Sequence, residues 1–213
     1  MKIKYITSLM ITVLFLSVSC TNSVPEISYG FLHLVQYQGE AGPVEHFSFF
    51  IMPVDNDGID NLDELYFYHD REQLRWRIKS DEWLSYTIDG KTWIGTRSIA
   101  AQDGRLPRGL FRAVLYNKGG EKNERNFVFD GSVHYPFPEI VIADGRYEIK
   151  SMWPNNKLVC YDSSGNFINT YKIESLTGNV SDLRLPSSAS TAALWTEDEA
   201  NFCSAFTDVV SIH

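Results

Sequence analysis

From about residue 28 onward the chain falls into apolar runs of five to nine residues, each closed by Gly, Asp, Asn or Pro, and no helical periodicity survives a window of eleven. Runs this short, ended by residues that favour turns, suit strands and leave no length for an amphipathic helix. The first half is expected to hold strands at 28–38, 46–54, 64–69, 74–79, 83–88, 92–99, 110–117 and 125–130. Their breaks fall at "GEAGP", "DNDGIDN", "HDREQ", "IDGK", "DGRLPRG" and "NKGGEKN". Further strands are expected at 146–152, 157–161, 167–173, 180–185, 192–196 and 202–212, with "YDSSGNF" as a hairpin turn. The stretch "EDEANFCSAF" has a short helix as its alternative, because Glu197, Asp198 and Glu199 suit a helix N-terminus. Regular spacing of such strands predicts an all-β sandwich.

Alternation assigns faces, since successive side chains of a strand point opposite ways. In "LRWRIK", Leu74, Trp76 and Ile78 should face a core while Arg75, Arg77 and Lys79 face out. The run "FSFFIMPV" has almost no polar face, so that strand should be central and covered on both sides. Tyr66 and Tyr68 point opposite Leu65 and Phe67. If the two strands pair, Tyr66, Tyr68, Arg75 and Arg77 form one exposed patch, and both residue types are enriched at interface centres. Those four are the expected binding surface.

The first twenty residues carry an address. Lys2 and Lys4 precede an apolar run from about residue 6 to 18, and small residues lead to Cys20. This is the layout of a secretory signal, too short for a stable spanning helix. The stretch Leu16-Ser17-Val18-Ser19-Cys20 resembles a bacterial lipobox, with the leucine four places before the cysteine and Ser17 at the favoured aliphatic position, a looseness similar to that of spirochaete lipoproteins. The resemblance implies cleavage before Cys20 and acylation of its sulfur, hence a membrane anchor of acyl chains. Thr21 in place of Asp implies the outer membrane. An ordinary secretory signal cut nearby is the alternative.

Removing residues 1–19 takes away Lys2 and Lys4 and no acid, so the formal charge of −8 becomes −10. An acidic domain without basic clusters is a poor partner for nucleic acid. With 44% hydrophobic and 14% aromatic residues the chain can bury a core, which excludes disorder. In an oxidising envelope compartment the two cysteines left, Cys160 and Cys203, are expected to form a disulfide, the alternative being two buried thiols.

Gly109, Phe111, Ala113, Leu115, Asn117 and Gly120 match a pattern that precedes the last strand of many bacterial domains, and "DNDGIDNL" before "LYFY" looks like an early loop of the same domains. Residues 27–131 therefore resemble immunoglobulin-like and fibronectin type III-like sandwiches. The expected organisation is a signal at 1–19, a tether at 20–27, an immunoglobulin-like β-sandwich at 28–131, a linker at 132–145 containing Pro136 and Pro138, and a smaller β-rich domain at 146–213.

The chemistry is sparse. "DNDGIDNLDEL" groups Asp55, Asp57, Asp60, Asp63 and Glu64 around Gly58. Placing Gly58 at the sixth position of a calcium loop puts Pro53 at the first, where a side-chain oxygen is needed, so the segment reads as a turn and no metal is expected. His33, His46, His69, His134 and His213 are scattered, and no nucleophile or phosphate-loop motif occurs. A platform of Trp76, Trp83, Trp93 and Trp153 with Tyr66, Tyr68 and Tyr86 could take sugars, against core packing as the ordinary role of such rings. The expectation is a lipid-anchored, non-enzymatic binding or envelope-scaffolding module with no catalytic residues and no cofactor. Its partner would be an envelope or host protein or a glycan. A carbohydrate-binding accessory protein or a motif-poor glycan-active enzyme is the alternative.

Overall fold

In the computed structural model, which describes residues 23–212, the short apolar runs become strands nearly throughout. The first eight are β1 (Glu26–Gly39), β2 (Gly42–Val54), β3 (Leu62–His69), β4 (Leu74–Lys79), β5 (Leu84–Ile88), β6 (Lys91–Ala100), β7 (Gly109–Asn117) and β8 (Lys122–Phe129). β1-β2-β6-β5 lie side by side in one sheet, and β4-β3-β7-β8 form another. This is the immunoglobulin order, A-B-E-D opposite C-F-G, with β4 added beside C.

Aromatic packing closes the first core. Phe47, Phe49 and Ile51 of β2 are fully buried, as are Leu65 and Phe67 of β3 and Phe111 of β7. The Phe49 ring stacks 4.2 Å from Phe67, which in turn stacks 4.9 Å from Phe111. Trp76 packs against this cluster, and its indole N–H donates to the Ala100 carbonyl at 2.7 Å.

The second half holds β9 (Glu139–Ala143), β10 (Arg146–Lys150), β11 (Asn155–Tyr161), β12 (Phe167–Lys172), β13 (Thr177–Asn179), β14 (Thr191–Asp198), β15 (Cys203–Phe206) and β16 (Val210–Ser211). β9-β10-β13 form one sheet, while β12-β11-β14-β15 run side by side. Ile149, Leu158 and Leu194 belong to the core of this unit. Its strand order repeats that of the first unit without a counterpart of β5, so two sequences with no visible repeat adopt one topology.

Several boundaries differ from the sequence expectation. Residues 139–143 of the expected linker are strand β9, and Val133, Tyr135 and Phe137 pack on the first core. Trp153 belongs to that core too, donating from its indole N–H to the Pro136 carbonyl at 3.0 Å. The segment therefore docks between the units. The strand expected at 180–185 is a 3-10 turn, Val180–Leu183, ended by Arg184 at φ 51°. The run expected at 202–212 is interrupted where Thr207 turns its hydroxyl to accept from the Leu194 N–H at 2.9 Å. The alternative short helix shrinks to one 3-10 turn, Glu199–Asn201, capped by the Asp198 side chain.

What joins the units is a parallel pairing of β1 with β15, Leu34 to Tyr37 lying beside Cys203 to Phe206. It merges one sheet of each sandwich into a single nine-stranded sheet, ordered β12-β11-β14-β15-β1-β2-β6-β5 with β16 beside β14. The pairing of β11 and β15 with β14 explains why no disulfide forms. Cys160 lies opposite Ala192 and Cys203 opposite Asp198, both on β14. Six residues of strand place them roughly 20 Å apart, where a disulfide needs Cα atoms within about 7 Å. The two cysteines are free buried thiols, one in each core.

Candidate functional site: the aromatic groove

Strand pleating sends alternate residues of the long sheet into the two cores and the rest to its other face. On β1, Leu32 and Leu34 are buried inward, leaving Phe31, His33, Val35 and Tyr37 for the outer face. That face is apolar as well. Phe31 stacks on Phe50 at 5.7 Å and tilts against Trp93 at 5.5 Å, while Tyr86 lies 5.4 Å from Phe50. Across the seam, the Phe206 ring sits 6.2 Å from Tyr37 and 5.8 Å from Trp195. These side chains line two adjoining concavities of about 420 and 680 Å³ that share Tyr37, Arg97 and Trp195 as a common wall. Phe31 is 43% exposed and Phe167, at the far end, 62%, so no layer among the described residues covers the groove.

Polar groups are set into the aromatic floor. The His33 imidazole Nε2 is 2.9 Å from the Ser204 hydroxyl, a contact between residues 171 positions apart that crosses the seam. Its ring lies nearly parallel to that of Trp195 at 6.5 Å. Burial lowers the His33 pKa against the opposing pull of Glu197, which favours the neutral imidazole. Lys157 Nζ donates to Glu197 at 3.0 Å, and the Arg97 guanidinium stands 5.5 Å over the Tyr86 ring. Burial raises the Tyr37 pKa, with Arg97 opposing. Ser204 is fully buried beneath His33, so its hydroxyl supports the imidazole from below.

The four residues expected to form a binding surface come together on the other sandwich face. β3 pairs with β4 so that Tyr66 lies opposite Arg77 and Tyr68 opposite Arg75. Tyr66 stacks on Tyr68 at 5.9 Å. Two cations there are engaged: Arg77 pairs with Glu64, and Arg112, which the sequence reading did not include, lies 4.4 Å over Tyr68 while holding Asp70 through two hydrogen bonds of 2.9 and 3.0 Å. The patch is a cross-strand ladder in which the charges of Arg77 and Arg112 are matched internally. Of the seven rings proposed as a sugar platform, Trp93 and Tyr86 do line the groove. Trp76, Trp83 and Trp153 pack against or within the first core. Trp195 was missed, because "AALWTE" alternates as well with Trp195 inward as outward until β14 is seen to pair with β15.

The acidic turn holds Ser23, the first of the described residues. The Ser23 hydroxyl lies 2.5 Å from Asp55 and 2.9 Å from Asp57, with one proton shared between the two carboxylates, and the backbone N–H donates to Asp57 at 2.9 Å. Its carbonyl accepts from Asn117 at 2.7 Å. The Ser23 N–H and then its hydroxyl hold the Asp57 carboxyl below its ordinary pKa. One oxygen each of Asp55 and Asp57 is taken up by this clamp, and no cluster of three metal-ligating side chains occurs among the described residues. Cys20 lies outside the described residues. No helix among the described residues is long and apolar enough to cross a membrane.

The fold defines an all-β protein of two sandwich units fused through a shared sheet. No family model matches the chain and no curated protein matches it. Solved structures similar to it include latent PorU from Porphyromonas gingivalis (14% identity, TM-score 0.33, covering 89% of this chain and 20% of that one). The BSP domain of a biofilm-associated protein follows at 13% identity and TM-score 0.27, covering 86% and 29%. Tp47, the 47-kilodalton lipoprotein of Treponema pallidum, is similar at 11% identity and TM-score 0.32, covering 89% and 50%. The chain thus spans half or less of the length of these three solved chains.

Proposed function

We propose that this protein is a lipid-anchored, extracytoplasmic binding module without catalytic activity, and that the groove across the nine-stranded sheet is its ligand surface. The observation that carries the reading is the continuous aromatic face from Tyr86 to Phe167, left open to solvent although it spans both units. Soluble proteins rarely leave so large an apolar concavity uncovered without a use for it. The lipobox-like stretch ending at Cys20 supports the anchor, and the burial of Ser204 beneath His33 keeps that hydroxyl from serving as a nucleophile, which must reach its substrate.

Two measurements test this. Labelling with a fatty-acid analogue in cells should vanish in Cys20→Ala; retained label would refute the anchor. Envelope fractions passed over the immobilised protein should leave material on the wild type that is absent from a Phe31→Ser/Trp195→Ser double variant. Equal retention by both would remove the groove as the ligand surface.

A further inference from the structure

We propose that the occupant of the groove is an acidic oligosaccharide, lying across the strands and centred on the wall of Tyr37, Arg97 and Trp195; this rests on the groove being the ligand surface. The shape argues for an elongated ligand. From β5 to β12 the floor crosses eight strands, a width of roughly 30 Å at the usual strand spacing. The shared wall makes the two concavities one channel.

The side chains argue for its chemistry. The rings of Tyr37, Phe206 and Trp195 form a faceted platform whose electron-rich faces attract the polarised C–H groups of a pyranose. Beside that platform stand Arg97 and Lys157, with Glu197 held by Lys157. A purely apolar occupant would strip water from these charges and return nothing, which is costly. A chain of hydroxyls and carboxylates replaces that water with charge-assisted hydrogen bonds. The cations favour an acid over a neutral sugar in a protein whose net charge is −8. That same negative total, with only two cations lining the site, disfavours the dense phosphates of a single-stranded nucleic acid.

The test is calorimetric titration of the full-length protein with three probes of equal length: a galacturonic acid hexamer, neutral maltohexaose and a thymidine oligonucleotide. The galacturonate hexamer should bind more tightly than maltohexaose by about tenfold, the weight of one charge-assisted contact, and more weakly as salt is raised. Arg97→Gln, an exposed position that should not disturb folding, should lose about tenfold for the acidic hexamer. Trp195→Ala, with its melting curve recorded to confirm folding, should weaken both saccharides. Equal affinity for the two saccharides would overturn the acidic class, and tighter binding of the oligonucleotide would overturn a saccharide altogether. Wild-type affinity in both variants would place the sugar outside the groove. If no saccharide binds while envelope material is still retained through Phe31 and Trp195, the saccharide inference falls and the groove reading stands; if retention fails too, both fall.

Discussion

Leu158 offers a direct test of whether the two sandwiches behave as one. It is fully buried in the second core, opposite Leu194 on β14, and makes no part of the first core. Leu158→Ala removes three carbons, about 0.8 kcal/mol each by transfer, and leaves a cavity on top, so a loss of about 3 kcal/mol is expected. If the β1–β15 pairing and the docking of Trp153 on the first core couple the units, that loss must appear in both. Hydrogen exchange of the slowest amides read by mass spectrometry would then show peptides from β3 exchanging about 150-fold faster, as do those from β11, since each 1.4 kcal/mol is tenfold. Loss of protection in β11 with β3 unchanged would refute the coupling and make the seam a contact between independently stable units.

Other consequences are as direct. Denaturing the protein in a thiol assay should release the Cys160 and Cys203 thiols, which stay unreactive in the native state because burial raises both pKa values. Burial pushes the Cys203 thiol up from 9.0 to about 11, so its contribution to stability is intact below pH 9.0 and is lost as pH rises through about 11; Cys203→Ala should flatten that part of the urea-midpoint curve. His33 has the opposite sign: its pKa is lowered below 6.5 by burial, so stability present above that value falls as the groove floor is acidified, and His33→Gln should lessen the loss. Gly95→Ala should cost about 3 kcal/mol or prevent folding, because a Cβ there meets the backbone of Phe49 and Phe50 in β2; an unchanged urea midpoint would contradict the close approach. Calcium should leave the melting temperature unchanged, and a rise that Asp55→Ala abolishes would contradict the Ser23 clamp.

Much of the fold was legible where the signal is local. "LRWRIK" is strand β4 with the expected inward side chains, and the register of β3 with β4 joins Tyr66 to Arg77 as alternation implied. "DNDGIDN" is a turn, and its acids hold Ser23 by hydrogen bonds no spacing rule could foretell. Legibility ended where partners are distant. β9 and β13 are five and three residues long, too short for a pattern, and exist because β10 pairs with both. For the candidate site, Trp93 and Tyr86 were suspected as platform rings, but the Tyr66 ladder looked equally good, because both are aromatic residues on alternating strands.

The sequence by itself determined that this is an all-β chain of sandwich type, since turn residues and period-two alternation act within a few positions. Tertiary structure alone decided that β1 meets β15 across most of the chain, that Cys160 and Cys203 fall in separate cores, and that the second half repeats the first unit's topology. It also decided which aromatic face stays open. Alternation sorts a strand's side chains into two faces, but Phe31 and Leu32 are both apolar, and only the packing of a second sheet against one side says which of them meets water.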